Sequence, residues 1–169
     1  MIHEGNPFVD EPSDRDPARR FRGRLAAPVT IVTSGSGEAM TGLTVSSLLV
    51  IEGNPAQIAL VVGPTSDLWD AIASNGRFVV HIASRRHQGL AERFAGRRPA
   101  PGGLLTDVML HVSEWGPVIE DLPDRAYCTS TSMTESGWSG RVIGNIDRAD
   151  LTDLTDPLTY FRGAYRGLD

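Results

Sequence analysis

The chain has 169 residues and a formal net charge of −5, with sixteen arginines and no lysine. That length suits one domain with a real core and a short extra arm. The missing ε-amine excludes Schiff-base chemistry and a P-loop kinase, the acidic balance argues against nucleic acid, and no apolar run approaches the roughly 18 residues that span a bilayer.

In chain order, residues 1–14 are rich in Pro, Asp, Glu and Asn and read as a flexible N-terminal arm. They lack a basic start followed by an apolar run, so no secretory signal is expected and a cytoplasmic location is. One domain is expected over 15–169. Asp16-Pro17 reads as a helix start, Asp at the N-cap and Pro at N1. That helix is expected to run to about Leu25, with Phe21 and Leu25 on one face. For Arg19, Arg20, Arg22 and Arg24 two readings stand: a solvated face, or a surface for an anion or a partner subunit.

Val29–Thr33 and Met40–Ser47 are expected as a hairpin across the turn Ser34-Gly35-Ser36-Gly37. Ile58–Val62 follows the turn Gly53-Asn54-Pro55. Ser66 should cap a helix through Ser74, with Leu68, Ala71 and Ile72 inward and Asn75-Gly76 as its stop. Phe78–Ile82 is a near-continuous apolar run, hence a buried strand. Gln88–Ala95 reads as a short helix with Leu90 and Phe94 inward, ended by Gly96. After the loop 99–103 the chain is β-rich: Val108–Trp115, Arg125–Thr134, Arg141–Ala149 and a short end from Tyr160 to Tyr165. The fold class is mainly β with short helices (α+β), a closed or partly closed barrel.

Chemistry is sparse. None of His3, His81, His87 and His111 stands at a ligand spacing, and no metal is expected. No serine sits in a nucleophile elbow. The lone Cys128 excludes an internal disulfide and, lying in a β-like stretch, reads as a small buried apolar residue. One segment stands out. Gly42-Leu43-Thr44-Val45-Ser46-Ser47 clusters three hydroxyls at the end of a core strand, where Thr and Ser gain little, so a polar ligand such as a phosphate or the edge of a flat ring suits it. With no acid, base or nucleophile in view, an enzyme built this way needs a cofactor to carry the reaction.

Taken together the pieces resemble the flavin reductase-like, FMN-binding split-barrel family. The match rests on Pro28–Thr33, Gly42–Ser47, Gly76–His81, Arg93-Phe94-Ala95-Gly96 and the closing Asp156-Pro157-Leu158 with Tyr160, Gly163 and Tyr165. Each piece is weak alone; their joint order covers about Arg20 to Leu168. The resemblance implies an FMN-binding split β-barrel that forms a homodimer, with FMN (FAD an open alternative) at the interface and NAD(P)H as co-substrate. It implies an NAD(P)H-dependent flavin reductase that supplies a partner monooxygenase. Two alternatives stand: a module that holds FMN without turnover, and an oxidase of the pyridoxamine-phosphate type.

The resemblance implies that Thr44, Val45, Ser46 and Ser47 meet the flavin and that Thr65 and Ser66 approach its phosphate. Ser66 at a helix N-terminus suits an anion, and equally suits an ordinary cap. Three departures bear on the site. Asp67 stands where family members often carry a basic residue, so an arginine from elsewhere, Arg85, Arg86 or Arg93, is expected to neutralise the phosphate. His81 replaces a frequent Asn and reads either as a core histidine or as a flavin-side group. Gly137-Trp138-Ser139 replaces a Gly-Asp-His tied to nicotinamide, and Trp138 reads either as a ring-stacking or as a packing residue.

Overall fold

A computed structural model describes residues 16–168. The expected arm over 1–14 lies outside them. The first helix, α1 (Pro17–Arg22), starts as expected: the Asp16 carboxylate accepts the Ala18 N–H at 3.1 Å and Pro17 occupies the first turn. It ends at Gly23, short of Leu25, and buries none of its residues. Phe21 and Leu25, expected on one face of this helix, are 67% and 55% exposed.

The strands are β1 (Ala27–Pro28), β2 (Thr30–Ser34), β3 (Thr41–Val45), β4 (Leu48–Ile51), β5 (Gln57–Val62), β6 (Arg77–Ile82), β7 (Leu110–Ser113), β8 (Gly116–Ile119), β9 (Arg125–Ser136), β10 (Ser139–Asp150), β11 (Thr159–Phe161) and β12 (Ala164–Arg166). Seven form one antiparallel sheet in the order β3-β2-β6-β9-β10-β5-β4. The expected β2–β3 hairpin is present, with Thr30 opposite Val45.

The two edges of this sheet are consecutive in the chain. Only Ser46 and Ser47 separate β3 from β4. Laid flat, seven strands would span about 29 Å between their outer members. The link from Val45 to Leu48 reaches only about 11 Å. The sheet therefore has to curl into a half-barrel, and the serine pair crosses its seam. Beyond the seam the Val61 N–H donates to the Ser47 carbonyl at 2.9 Å, continuing the β4–β5 ladder.

Helix α2 (Asp67–Asn75) packs inside the curl. Its Leu68 and Ile72 join Val32, Leu60, Phe78 and Val142 in the main core, each such side chain contributing roughly 1.5–3 kcal/mol of burial. Ser66 caps it by accepting the Trp69 N–H, and Gly76 ends it with a left-handed φ of 70°. Helix α3 (Gln88–Phe94) closes a second core with Ala91 and Phe94 against Ile31, Leu122 and Leu158. Cys128 is fully buried in the main core, as its β-like surroundings suggest.

The single strand expected over Val108–Trp115 is instead a hairpin, β7–β8, turning between Ser113 and Gly116. Gly116 has a φ of 120°, and a Cβ there would lie 2.9 Å from the Ser34 Cα, so the turn needs glycine. The hairpin is tied to the sheet by the Thr33 hydroxyl, which donates to the Pro117 carbonyl at 2.5 Å. A small sheet, β1-β11-β12, brings the end of the chain beside α1, where the Arg162 N–H donates to the Gly23 carbonyl at 3.1 Å. Among the described residues no helix is long and apolar enough to cross a membrane.

Candidate functional site

The seam opens onto a groove of about 1270 Å³. Thr44, Ser46 and Ser47 form its seam wall, and Ala59 and Val61 of β5 continue its floor. Strand β10 adds Arg141, which pairs with Val61. Since Val61 follows Ser47 across the β4–β5 ladder, the side chains of Ser47, Val61 and Arg141 share one face. Ser47 and Arg141 stand two strand spacings apart, about 10 Å.

The hydroxyls at the seam differ in their freedom. The Thr44 hydroxyl donates to the Ala91 carbonyl of α3 at 2.6 Å. It is spent on the scaffold, fixing β3 against the helix. Val45 is 3% exposed and belongs to the core, as the period-two alternation of a strand requires. The Ser46 and Ser47 hydroxyls have no protein partner among the described residues and face the groove.

The other residues expected at the site lie elsewhere. The Ser66 hydroxyl accepts the Trp69 N–H at 3.2 Å and donates to the Gly63 carbonyl at 2.7 Å. Neither it nor Thr65 lines the groove. His81 is a core histidine, with no exposed surface. Its Nδ1 lies 2.9 Å from the Ile31 carbonyl and its Nε2 3.0 Å from the Ile119 N–H. With both ring nitrogens committed to backbone, the flavin-side reading of His81 is set aside. Burial is the main cause that holds its pKa down, at about 4, so the ring is neutral with its proton on Nδ1.

Trp138 is fully exposed at the β9–β10 turn and does not line the groove. Arg93 donates to the carbonyls of Gly103 and Thr106 at 2.8 and 2.6 Å, bracing the loop before β7. Arg85 and Arg86 meet Asp156 and Asp121. The three arginines expected to neutralise a phosphate are therefore engaged by the protein itself.

Other arginines take the groove. Arg20, Arg22 and Arg24 project from α1 and its C-terminal turn, and Arg97, Arg141 and Arg162 join them. The Arg97 guanidinium donates to the Tyr160 hydroxyl at 2.5 Å and lies 5.2 Å from that ring's centre. Arg141 donates to the Thr134 hydroxyl at 3.3 Å. Among the described residues no aspartate or glutamate lines the groove. Sequence reading left the α1 arginines open and missed Arg97 and Arg141; the run Arg19 to Arg24 was the available signal, while Arg141 carried none until β10 was placed beside β5.

A curled antiparallel sheet with hydroxyls at its seam and a cationic groove beside them has the chemistry to hold an anionic ligand. The family whose profile describes a flavin reductase like domain matches residues 22–169, and the chain belongs to that family. It is 26% identical to a flavin reductase of Pseudomonas putida, over 88% of this chain and 87% of that one. It is 29% identical to an NADH-dependent FMN reductase of Streptomyces nodosus subsp. asukaensis, over 89% and 83%. The reductase component of a 4-hydroxyphenylacetate 3-monooxygenase from Thermus thermophilus is 28% identical, over 86% and 91%. Among solved structures, the flavin reductase PheA2 in its native state superposes with a TM-score of 0.81 at 26% identity, covering 92% of this chain and 99% of that one.

Proposed function

We propose that this chain is an NAD(P)H-dependent flavin reductase that supplies reduced flavin to a partner monooxygenase. The observation that carries the reading is the pair of hydroxyls, Ser46 and Ser47, that have no protein partner among the described residues and stand in an arginine-lined groove within a flavin reductase like domain. The names of the relatives from Streptomyces and Thermus support NADH as the reductant and an oxygenase as the consumer.

A bound flavin would supply the redox chemistry, as the acceptor for a nicotinamide hydride. The chain's residues hold, orient and shield: Ser46 and Ser47 offer hydroxyls to the flavin, and Ala59 and Val61 give an apolar floor that displaces water. Arginine neutralises phosphate. No residue need act as acid or base in a direct hydride transfer between the two rings.

A homodimer is part of this reading. Leu49 and Val50 on the edge strand β4 are 58% and 59% exposed, and Val61 on the neighbouring β5 is 42% exposed. A second copy covering that edge would bury them and close the site against water. A cytoplasmic setting fits a reaction that consumes reduced nicotinamide.

A second reading is favoured by one observation. Gly137-Trp138-Ser139 stands where the family often has its nicotinamide histidine, and Trp138 touches nothing in the groove. On that reading the chain holds flavin without turnover. Purified protein given excess FMN and NADH under air separates the two. Nicotinamide oxidation dependent on flavin supports the reductase; flavin binding without oxidation supports the holding module. A Ser46→Asp variant should weaken FMN binding at least about tenfold, by setting a carboxylate beside the anionic ligand. Unchanged affinity would show that the flavin does not meet the seam.

A further inference from the structure

Arg97 leaves α3 in a fixed geometry. The helix stops at Gly96, whose φ of 72° is left-handed. The Gly96 N–H donates to the Arg93 carbonyl at 3.0 Å, and the Arg97 N–H donates to the Glu92 carbonyl at 2.9 Å. These nested bonds are those of a glycine-ended helix stop. They bind the Arg97 backbone to the last turn, so the position of α3 sets the position from which Arg97 reaches out. Ala95 and Arg97 both line the groove.

Two contacts of unlike kind set α3 against β3. Gly42 has no side chain where the buried Phe94 ring passes, and a Cβ there would lie 2.7 Å from the ring's Cε1. Two positions on, the Thr44 hydroxyl donates to the Ala91 carbonyl at 2.6 Å. That carbonyl also accepts the Ala95 N–H at 2.9 Å. A carbonyl oxygen has a second lone pair, and the helix bond already satisfies the first. The Thr44 bond is therefore a tie between two elements, not the repair of an orphaned helix end. Gly42 and Thr44 share one face of β3, as alternation along a strand requires. Ser46 follows Thr44 by two positions, so the tie sits next to the seam.

We propose that Thr44 is a positioning residue for the anionic ligand of the groove. Its hydroxyl fixes α3 against β3, and so holds the Arg97 guanidinium at the separation from Ser46 and Ser47 that the ligand spans. Thr44 does not touch the ligand; it acts through Arg97. The guanidinium gives one N–H to the Tyr160 hydroxyl at 2.5 Å and keeps other N–H donors for an anion. The rings of Tyr160 and Tyr165, at 5.2 and 5.8 Å, support it from the small sheet. This assignment rests on the flavin reading of the groove given above. It gives Thr44 a part other than the flavin contact that the family resemblance implies.

Titration of the full chain with FMN, followed by flavin fluorescence and run as a double-mutant cycle, tests it. Thr44→Val keeps the shape and removes the hydroxyl, and FMN affinity should fall about fivefold. Arg97→Gln should lower it about tenfold. In the Arg97→Gln background, Thr44→Val should cost less than about twofold more, because a tie that acts through Arg97 then has nothing to hold. Thr44→Ser restores the hydroxyl and should bind FMN within about twofold of the parent. Gly42→Ala works the same joint from the packing side, pushing Phe94 away from β3. It keeps the test open should Thr44→Val fold poorly, since its loss too should vanish when Arg97 is replaced. Losses at Thr44 and Arg97 that simply multiply would overturn the assignment, by placing Thr44 against the ligand. So would unchanged affinity in Thr44→Val, or a Thr44→Ser variant as weak as Thr44→Val. Absence of FMN binding by the parent would instead defeat the flavin reading, and this assignment with it.

Discussion

Acidification should unfold this protein through His81. The ring is buried, neutral, and bonded at both nitrogens to β2 and β8. Burial is the largest cause that lowers its pKa from 6.5 to about 4; the bond to the Ile31 carbonyl opposes this, and the charges of Arg125 and His111 add to it. In the unfolded chain the ring titrates near 6.5. Below that pH the unfolded state binds a proton that the folded state refuses. The stabilising contribution is therefore complete above about pH 6.5 and is lost as pH falls toward about 4. At about 1.4 kcal/mol per pH unit, the full gap is worth about 3 kcal/mol, of which about 2 kcal/mol is gone by about pH 5. Urea unfolding near pH 7.5 and near pH 5 measures it, on the parent and on His81→Asn. The variant should lose about 1–3 kcal/mol near pH 7.5, because the Ile119 N–H is left without its acceptor. It should then lose about 2 kcal/mol less than the parent on acidification. The His87 ring, whose pKa burial also lowers, titrates in both proteins and cancels from the difference. Equal acid sensitivity in the two proteins would refute the reasoning.

Three further outcomes follow from the packing. Burial is the main cause that pushes the Cys128 thiol up to about 12, so a thiol reagent should label it only when the protein unfolds; fast labelling of the native chain would contradict its place in the core. Gly144→Ala should cost about 1–3 kcal/mol in urea unfolding, since its Cβ would lie 2.7 Å from the fully buried Phe78 ring. Trp138→Ala should leave monomer stability within about 0.5 kcal/mol, its side chain being fully exposed; a lowered association constant in sedimentation would place that turn in a subunit contact.

Local chemistry made much of the fold legible. The Ser66 cap, the inward Leu68, Ala71 and Ile72, and the stop at Gly76 all depend on neighbours within one or two turns. The β2–β3 hairpin follows from its Gly- and Ser-rich turn. Strand β4 escaped because Leu48-Leu49-Val50-Ile51 has no period-two alternation; in the structure three of its four side chains are exposed at a sheet edge. Strand β8 escaped because Pro117 interrupts a short run and Gly116 owes its conformation to Ser34, over eighty positions away. Phe21 and Leu25 had helical spacing but stay exposed among the described residues, and spacing alone cannot supply a partner.

The seam segment marks the boundary between the two sources of information. By itself the sequence determined that Thr44, Ser46 and Ser47 end a strand where hydroxyls gain nothing from the core, and its resemblance named the family that the profile match bears out. Only the tertiary structure decided that Thr44 is spent on Ala91 while Ser46 and Ser47 stay free, because α3 lies 47 residues downstream of that threonine. It likewise decided which arginines are quenched. Arg86 meets Asp121 across 35 residues, whereas Arg141 meets no carboxylate among the described residues. Charge pairing depends on distance in space, and one-dimensional spacing does not encode the curl that brings β10, α1 and the serine seam around one groove.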